Sequence, residues 1–165
     1  MRKAVLISIR PEWTRLILSG EKTIEVRKTR PKLETPYKCY IYQTLPKSGD
    51  WNDRDGHVIG EFVCDSLTEY QPCVSFTPER VCFSLRVLGC LKAHELWKYS
   101  DGKPLYGWHI SDLKIYDKPK ELHEFMQCHK CEYYSGCKEH EYGCDGIYKV
   151  KRPPMSWYYV EELTI

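Results

Sequence analysis

The sequence lacks a strong excess of charge of either sign, and it lacks any long apolar run. Its 165 residues include 25 Lys and Arg against 23 Asp and Glu. This balance excludes the strongly cationic surface that drives non-specific duplex binding, so a nucleic-acid role would have to be confined to a local cleft. No segment approaches the roughly 20 apolar residues of a membrane helix, and the first apolar run is too short for a signal peptide. We therefore expect no membrane association and a cytoplasmic location.

A pattern typical of a disulfide framework is also absent. The chain has nine cysteines, and an odd number without a secretion signal favours reduced thiols or metal ligation. Five of them occur singly in apolar sequence, where a reduced thiol acts as a small hydrophobic side chain. We expect these five in the core: Cys39, Cys64, Cys73, Cys82 and Cys90.

The other four cysteines are closely spaced, in a C-x2-C-x5-C-x6-C pattern with little hydrophobic periodicity around it. They are Cys128, Cys131, Cys137 and Cys144. Four thiolates hold one Zn²⁺ in a closed tetrahedral structural site, which leaves no open position for catalysis. We predict a Cys-rich metal-binding insertion over residues 126–146, within a single domain of residues 1–165.

Alternatives to this zinc site stay open at the level of sequence. His129 and His140 lie beside or between the cysteines and could substitute for one of them. An iron–sulfur cluster is a less favoured occupant with the same ligands. Four unliganded cysteines in a loop are the simplest alternative.

The stretch from Ser19 to Lys32 has seven charged residues in fourteen positions. Before it, the apolar run Ala4–Ile7 is typical of a buried strand, and Pro11 favours the first turn of a helix that Gly20 would end. Lys22 would thus be delivered from a tight turn at a helix end. A helix face made by Trp13, Leu16 and Ile17 is expected in the core.

Strand periodicity divides the charged stretch into two faces. Ile24 and Val26 share an apolar face, whereas Thr23, Glu25 and Arg27 share a charged one. We expect Glu25 and Arg27 to point to the same side, close enough to pair or to hold one ligand, with a solvated Lys22 turned toward them.

The rest of the chain alternates short β-rich runs with turns. We predict further strands over residues 37–43, 57–64, 105–116 and 157–163, a helix over 91–99, and an irregular connection over 67–78. Five or six strands with two or three helices indicate the α+β class, with a small mixed sheet or barrel and helices at its edge.

Three motifs carry a family resemblance. Gly20–Arg27, G-E-K-T-I-E-V-R, resembles the G-x-K-x-x-E-x-R signature of the ASCH domain family, which consists of small β-barrels of the PUA-like class. Tyr106–Leu113 resembles a later strand of that fold, and Arg152–Glu162 is similar to the ending of a prophage-type branch. The resemblance spans nearly the whole chain and implies a mixed barrel with two to four edge helices.

The resemblance implies a cleft between barrel and helix for RNA, a nucleotide or a nucleoside. Lys22 and Arg27 would contact phosphate or a base carbonyl, Glu25 would accept a hydrogen bond from a base amine, and an aromatic ring would stack on the base. Trp108 and Trp157 flank predicted strand ends, so we expect one of them to reach the cleft. Thr23, on the face of Glu25, would complete the lining.

A hydrolase is the alternative that the resemblance leaves open. Some family members remove an acyl group from modified cytidine, and others have been proposed as ribonucleases. In such an enzyme Lys22 would act as a base or electrostatic stabiliser, and Glu25 as general base for water. The amidohydrolase members carry a threonine nucleophile where this chain has Glu25. A third reading is a solvated charged face, because exposed ion pairs contribute only about 0 to 1 kcal/mol.

The four spaced cysteines generate the first testable prediction. Elemental analysis of the purified protein should return about one metal per chain, since a four-thiolate set fills one tetrahedral shell. A chelator should loosen residues 126–146 before the rest of the chain, which hydrogen exchange would detect. Metal-free protein from a reducing preparation, with this segment still protected, would contradict the prediction.

Overall fold

The computed structural model describes residues 2–71, 83–128 and 147–163. Its strands are β1 Lys3–Ile9, β2 Ile24–Arg27, β3 Tyr37–Gln43, β4 Val58–Cys64, β5 Leu67–Tyr70, β6 Leu105–His109, β7 Ser111–Lys120, β8 Met126–Cys128, β9 Ile147–Lys149 and β10 Trp157–Glu161. Its α-helices are α1 Pro11–Leu18, α2 Phe83–Val87 and α3 Ala93–Ser100, and a short 3-10 helix spans Leu122–Glu124. Within these residues, none of the helices has the length and apolar character needed to cross a membrane.

The strands form two sheets. The larger has the order β7-β4-β3-β1-β10-β8-β9, and the smaller has the order β2-β6-β5. In the larger sheet β1 pairs in parallel with β3 and antiparallel with β10. The predicted α+β class is confirmed, but the strands that the structure describes do not close into a barrel.

The chain passes between the sheets four times, and two of these connections are very short. β4 leads through two residues into β5, and β6 leads through Ile110 into β7. Ile110 donates its backbone N–H to Thr23 O, and Asp112 has a φ of 45°, so the predicted strand over 105–116 is bent into two. The expected irregular connection over 67–78 is wrong at its start, because residues 67–70 pair with β6. Such a long-range pairing overrides weak local propensity.

The N-terminal elements follow the sequence signals. The apolar run becomes β1, which is buried from Ala4 to Ile9. Pro11 is the first residue of α1, and Gly20 adopts a φ of +80°, the left-handed conformation that glycine adopts readily. The helix therefore ends at Leu18, and Gly20 lies in the turn before Lys22, as the sequence predicts.

Strand β2 is covered on both sides, which decides the environment of its charged residues. Ile24 and Val26 pack against Leu85 of α2, Leu96 of α3 and Leu105. The opposite face turns toward the main core, where Trp108 of β6 packs with residues of β1, β3, β4 and α1. The charged face is thus an interior face.

The cysteines follow the prediction only in part. Cys39 and Cys64 are buried, and burial raises the pKa of the Cys64 thiol to about 11. Cys90 is only half-buried, since it follows α2 at the surface, so the expectation of a core position is wrong there. The remaining cysteine predictions lie outside what the structure describes: Cys73, Cys82, the side chain of Cys128, Cys131, Cys137 and Cys144.

Gly60 tests the close approach of β4 and β7. A Cβ atom there would lie 2.5 Å from the carbonyl oxygen of Lys114 in β7. Gly60→Ala should lower the free energy of unfolding by about 1 to 3 kcal/mol through overpacking, measured by urea denaturation. Ser48→Ala is the control, because Ser48 is exposed and such a surface substitution changes stability by less than about 0.5 kcal/mol. Equal losses in both variants would contradict the packing of β4 against β7.

Candidate ligand-binding cavity

Lys22 is placed by the turn after α1. Its backbone N–H donates to Leu16 O at 2.9 Å, which closes the turn behind the helix. The side chain then points back along β2, where Nζ donates to Ile24 O at 2.9 Å and to Gly89 O at 2.8 Å. Only 3% of Lys22 is exposed, so the expectation of a solvated lysine is wrong. The reason is that α2 and its following turn cover this edge of β2.

Glu25 joins Lys22 to Arg27. Its Oε2 lies 3.4 Å from Lys22 Nζ, and its Oε1 lies 2.9 Å from Arg27 Nε. The predicted geometry is confirmed, because Glu25 and Arg27 point to one side and Lys22 turns toward them. Glu25 itself is only 6% exposed. We call Lys22, Glu25 and Arg27 the ion cluster; with one carboxylate and two cations it carries a formal charge of +1.

Arg27 connects the ion cluster to the larger sheet. One terminal nitrogen donates to Ser8 O in β1 at 2.6 Å, and the other donates to Ser156 Oγ at 3.3 Å. Ser156 lies just before β10, the antiparallel neighbour of β1. Arg27 therefore holds the small sheet against the end of β1, where the two sheets separate.

A cavity of about 490 Å³ opens at this separation. The ion cluster forms one wall, and the segment after β1, α1, α3 and the loop before β10 supply the others. Besides the ion cluster, its chemically prominent lining residues are Arg10, Trp13, Glu95 and Tyr99. The cavity thus combines cations, carboxylates and two aromatic rings.

Three predicted site residues are not brought to this cavity. Trp108 lies opposite Glu25 in the β2–β6 pairing and is 0% exposed, because its ring fills the core between the sheets. Trp157 donates from Nε1 to Thr29 Oγ1 at 3.0 Å, outside the cavity lining. Thr23 is held by backbone hydrogen bonds with Leu88 and Ile110 and does not line the cavity either.

The aromatic rings at the cavity were not predicted as ligand contacts. Trp13 packs partly against the core, as expected from the helix face, but its ring also lines the cavity, 5.4 Å from Lys22 Nζ. Tyr99 and Glu95 are four residues apart on α3, a spacing that puts them on one helix face. The spacing could have predicted that Glu95 and Tyr99 share a helix face, but no local feature of the sequence shows that this face turns toward β2.

Tyr99 is electrostatically coupled to the ion cluster. Burial raises the pKa of its phenol above the ordinary value, Arg27 opposes this shift, and Glu25 adds to it. The Nζ of Lys28 lies 4.9 Å from the ring centroid. Tyr99 therefore presents a neutral hydroxyl and a ring face beside the cavity at neutral pH.

Metal ligation is not a feature of this cavity. Among residues 2–71, 83–128 and 147–163, no group of three or more His, Cys, Asp or Glu side chains is arranged to hold a metal ion. The cavity wall offers two carboxylates whose oxygens already accept hydrogen bonds or ion pairs. Its lining is instead made of charged, polar and aromatic side chains.

The two-sheet α+β fold with a polar cavity at the sheet separation defines the class of domain, and comparison with known proteins gives its family. The sequence profile of the ASCH domain matches residues 7–164, so the chain belongs to the ASCH domain family. A search of curated proteins finds no match.

Solved structures show the same fold. The crystal structure of ASCH from Zymomonas mobilis is similar at a TM-score of 0.62 and 19% identity, over 96% of this chain and 88% of that one. A serine-to-alanine mutant of that protein is similar at a TM-score of 0.60 and 19% identity, over 98% of this chain and 90% of that one. At this identity the likeness concerns the fold alone.

The burial of Lys22 generates a stability prediction. Lys22→Met leaves two backbone carbonyls without their donor and removes one of the two cations that Glu25 contacts, and breaking a buried ion pair costs about 3 to 5 kcal/mol. The melting temperature should therefore fall by roughly 6 °C or more, since each kcal/mol lowers it by about 2 to 4 °C in a chain of this size. Lys28→Met is the control, because Lys28 is exposed and its loss should cost little. A similar melting temperature for Lys22→Met and the parent would contradict the buried ion cluster.

Proposed function

We propose that this ASCH domain binds a nucleotide unit of single-stranded RNA in the cavity beside the ion cluster. The observation that carries the proposal is the combination, in one cavity of about 490 Å³, of a net positive polar wall and two aromatic rings. Small-molecule sites typically measure about 300–1,000 Å³. A nucleotide brings an anionic phosphate, a polar sugar and a stacking base, and each has a counterpart here.

The charges favour an anionic or oxygen-rich ligand. Arg10, Lys22 and Arg27 face Glu25 and Glu95 around the cavity, three cations against two carboxylates, which gives +1. The guanidinium of Arg27 has more N–H donors than its contacts with Ser8, Ser156 and Glu25 use. Arg27 can therefore bind a ligand oxygen without leaving its structural partners.

In this proposal Lys22 and Arg27 have different roles. Its ammonium group faces three oxygen atoms, two carbonyls and one carboxylate oxygen, which match its three donors. Lys22 consequently orients Glu25 and contributes positive charge to the wall, whereas direct phosphate contact belongs to Arg27 and the exposed Arg10. Glu25 keeps lone pairs that can accept a hydrogen bond from a base amine.

The aromatic part of the site lies on the helices. Trp13 from α1 and Tyr99 from α3 supply rings on which an unpaired base can stack. Trp13 and Tyr99 thus have the base-stacking role that the sequence analysis predicted for Trp108 or Trp157. The ASCH domain has a PUA-like fold, a fold associated with RNA binding, which supports the same ligand class.

The hydrolase alternative has less support from the geometry. A lysine acting as general base needs a free lone pair, and Lys22 Nζ donates hydrogen bonds to carbonyl oxygens instead. Both carboxylate oxygens of Glu25 contact cations, Oε2 that of Lys22 and Oε1 that of Arg27, so Glu25 is held as part of the ion cluster. Binding without turnover is the simpler function for this arrangement.

The four spaced cysteines are proposed as a separate structural zinc site. Their donor set, four thiolates, suits tetrahedral Zn²⁺ and leaves no coordination position for substrate. Cys128, the first of them, ends strand β8 in the larger sheet. The site would therefore stabilise the segment after β8 and take no part in the chemistry of the cavity.

Matched variants on α3 and α1 test the binding proposal. Tyr99→Ala should weaken binding of nucleoside monophosphates by about five-fold or more, since one stacked base contributes roughly 1 to 3 kcal/mol. Arg10→Gln should also weaken it and should reduce the salt dependence. Titration calorimetry at several salt concentrations measures the affinity and its salt dependence. Product analysis of the same samples detects any turnover.

The controls are neighbours that do not line the cavity. Trp97→Ala removes a 62% exposed ring from the same helix as Tyr99, and Arg15→Gln removes an exposed cation from the helix that follows Arg10. Both should bind like the parent. Parent-like affinity in Tyr99→Ala and Arg10→Gln, or equal losses in the controls, would reject the cavity as the site.

A further inference from the structure

A run of exposed cations follows the ion cluster along the chain. Residues 28–32, which we call the basic segment, contain Lys28, Arg30 and Lys32, all exposed. Among residues 2–71, 83–128 and 147–163, no carboxylate forms an ion pair with any of the three. Elsewhere on the described surface, Lys38 and Lys120 pair with acidic neighbours. The basic segment therefore presents three charges that are not neutralised locally.

Aromatic rings lie along the basic segment. Lys28 Nζ is 4.9 Å from the centroid of Tyr99, and Arg30 Cζ is 5.9 Å from that of Tyr106. Trp157 and Tyr159 of β10, which pack edge to face, hold the segment from the other side. Their contacts are the hydrogen bond from Trp157 Nε1 to Thr29 Oγ1 and one of 2.7 Å from the backbone N–H of Lys32 to the Tyr159 hydroxyl.

The basic segment is continuous with the cavity. Arg27, in the cavity wall, immediately precedes Lys28, and the ring beside Lys28 is that of Tyr99, which also lines the cavity. On the opposite side, Ser156 lines the cavity and Trp157 follows it. A ligand that leaves the cavity on this side meets cations and rings together.

We propose that the basic segment guides the sugar–phosphate backbone of single-stranded RNA away from the cavity. The inference rests on the proposed function and deepens it, because it adds to the cavity a second surface that binds the neighbouring phosphates of the same strand. Cations along a backbone track with rings beside them are the two elements of single-strand recognition. Each cation held near a ring face is also partly ordered before binding.

The three cations of the basic segment stand out because positive and negative charges nearly balance over the whole chain. The formal net charge is only +2, so the protein has no general polycationic surface. An acidic protein partner would use the cations but would not need the adjoining rings and cavity. Single-stranded RNA uses all three features, and we therefore assign it to the surface.

The test compares a triple variant with a matched control on two probes. Lys28→Gln, Arg30→Gln and Lys32→Gln together remove the cations of the basic segment, and Arg15→Gln, Lys103→Gln and Lys118→Gln remove three exposed cations elsewhere. The probes are cytidine monophosphate and a single-stranded RNA of about eight nucleotides, within the site size of single-strand-binding domains. Fluorescence anisotropy and calorimetry are recorded over a salt series, with poly-glutamate as a competitor.

The proposal predicts that the parent binds the oligonucleotide more tightly than the monophosphate. The basic-segment variant should lose about 10- to 100-fold in oligonucleotide affinity and about two units of salt slope, at roughly 0.7 per phosphate contact. Its monophosphate affinity should fall by much less than its oligonucleotide affinity, because only Lys28 of the three contacts a cavity ring, that of Tyr99. The control variant should change neither affinity.

Each other outcome has a definite meaning. Parent-like oligonucleotide affinity in the basic-segment variant overturns the proposal, as does poly-glutamate binding as tightly as RNA, which would indicate a general polyanion or acidic-protein surface. Failure of the parent to bind monophosphate, with oligonucleotide binding still lost in the basic-segment variant, rejects the cavity but supports the basic segment. Monophosphate binding without any gain for the oligonucleotide supports the cavity and rejects the basic segment.

Discussion

The ionic contact of Glu25 with Lys22 and Arg27 is the interaction on which the cavity depends. Lys22 links the turn after α1 to the turn after α2, and Arg27 links the small sheet to β1 and to the loop before β10. Glu25 receives both cations. Buried ion pairs contribute little net stability compared with apolar packing, because desolvation opposes their attraction. Their position in a cavity wall supports the proposed role in ligand recognition.

The architecture supplies the space beside this contact. The chain crosses from one sheet to the other four times, and the sheets separate beyond the end of β1, where α1 and α3 border the gap. Trp13 and Tyr99 enter it from these two helices. Because β2 is covered by α2 and α3 on one face and by the core on the other, its charged residues are held in fixed positions. A preorganised wall of this kind loses little conformational entropy when a ligand binds.

Local pattern predicted much of this site and of the fold. The alternation of Ile24 and Val26 with Glu25 and Arg27, the α1 boundaries and the strands β1, β3, β4 and β10 all follow from short-range periodicity and turn chemistry. The burial of Lys22 and the presence of Trp13 and Tyr99 in the cavity could not be predicted in this way, because they depend on packing between elements that are distant in the sequence. Trp108 is in the core because it pairs opposite Glu25, and no local signal encodes that register.

The most direct test of the central claim is a nuclear magnetic resonance titration with a nucleoside monophosphate, followed through side-chain N–H signals. The account predicts saturable shifts of the Trp13 indole and of Arg27 Nε, with the exposed rings of Trp51 and Trp97 unaffected. Trp108, buried beneath the ion cluster, should move only slightly. Shifts confined to Trp51 or Trp97, with Trp13 and Arg27 unchanged at saturation, would contradict the account.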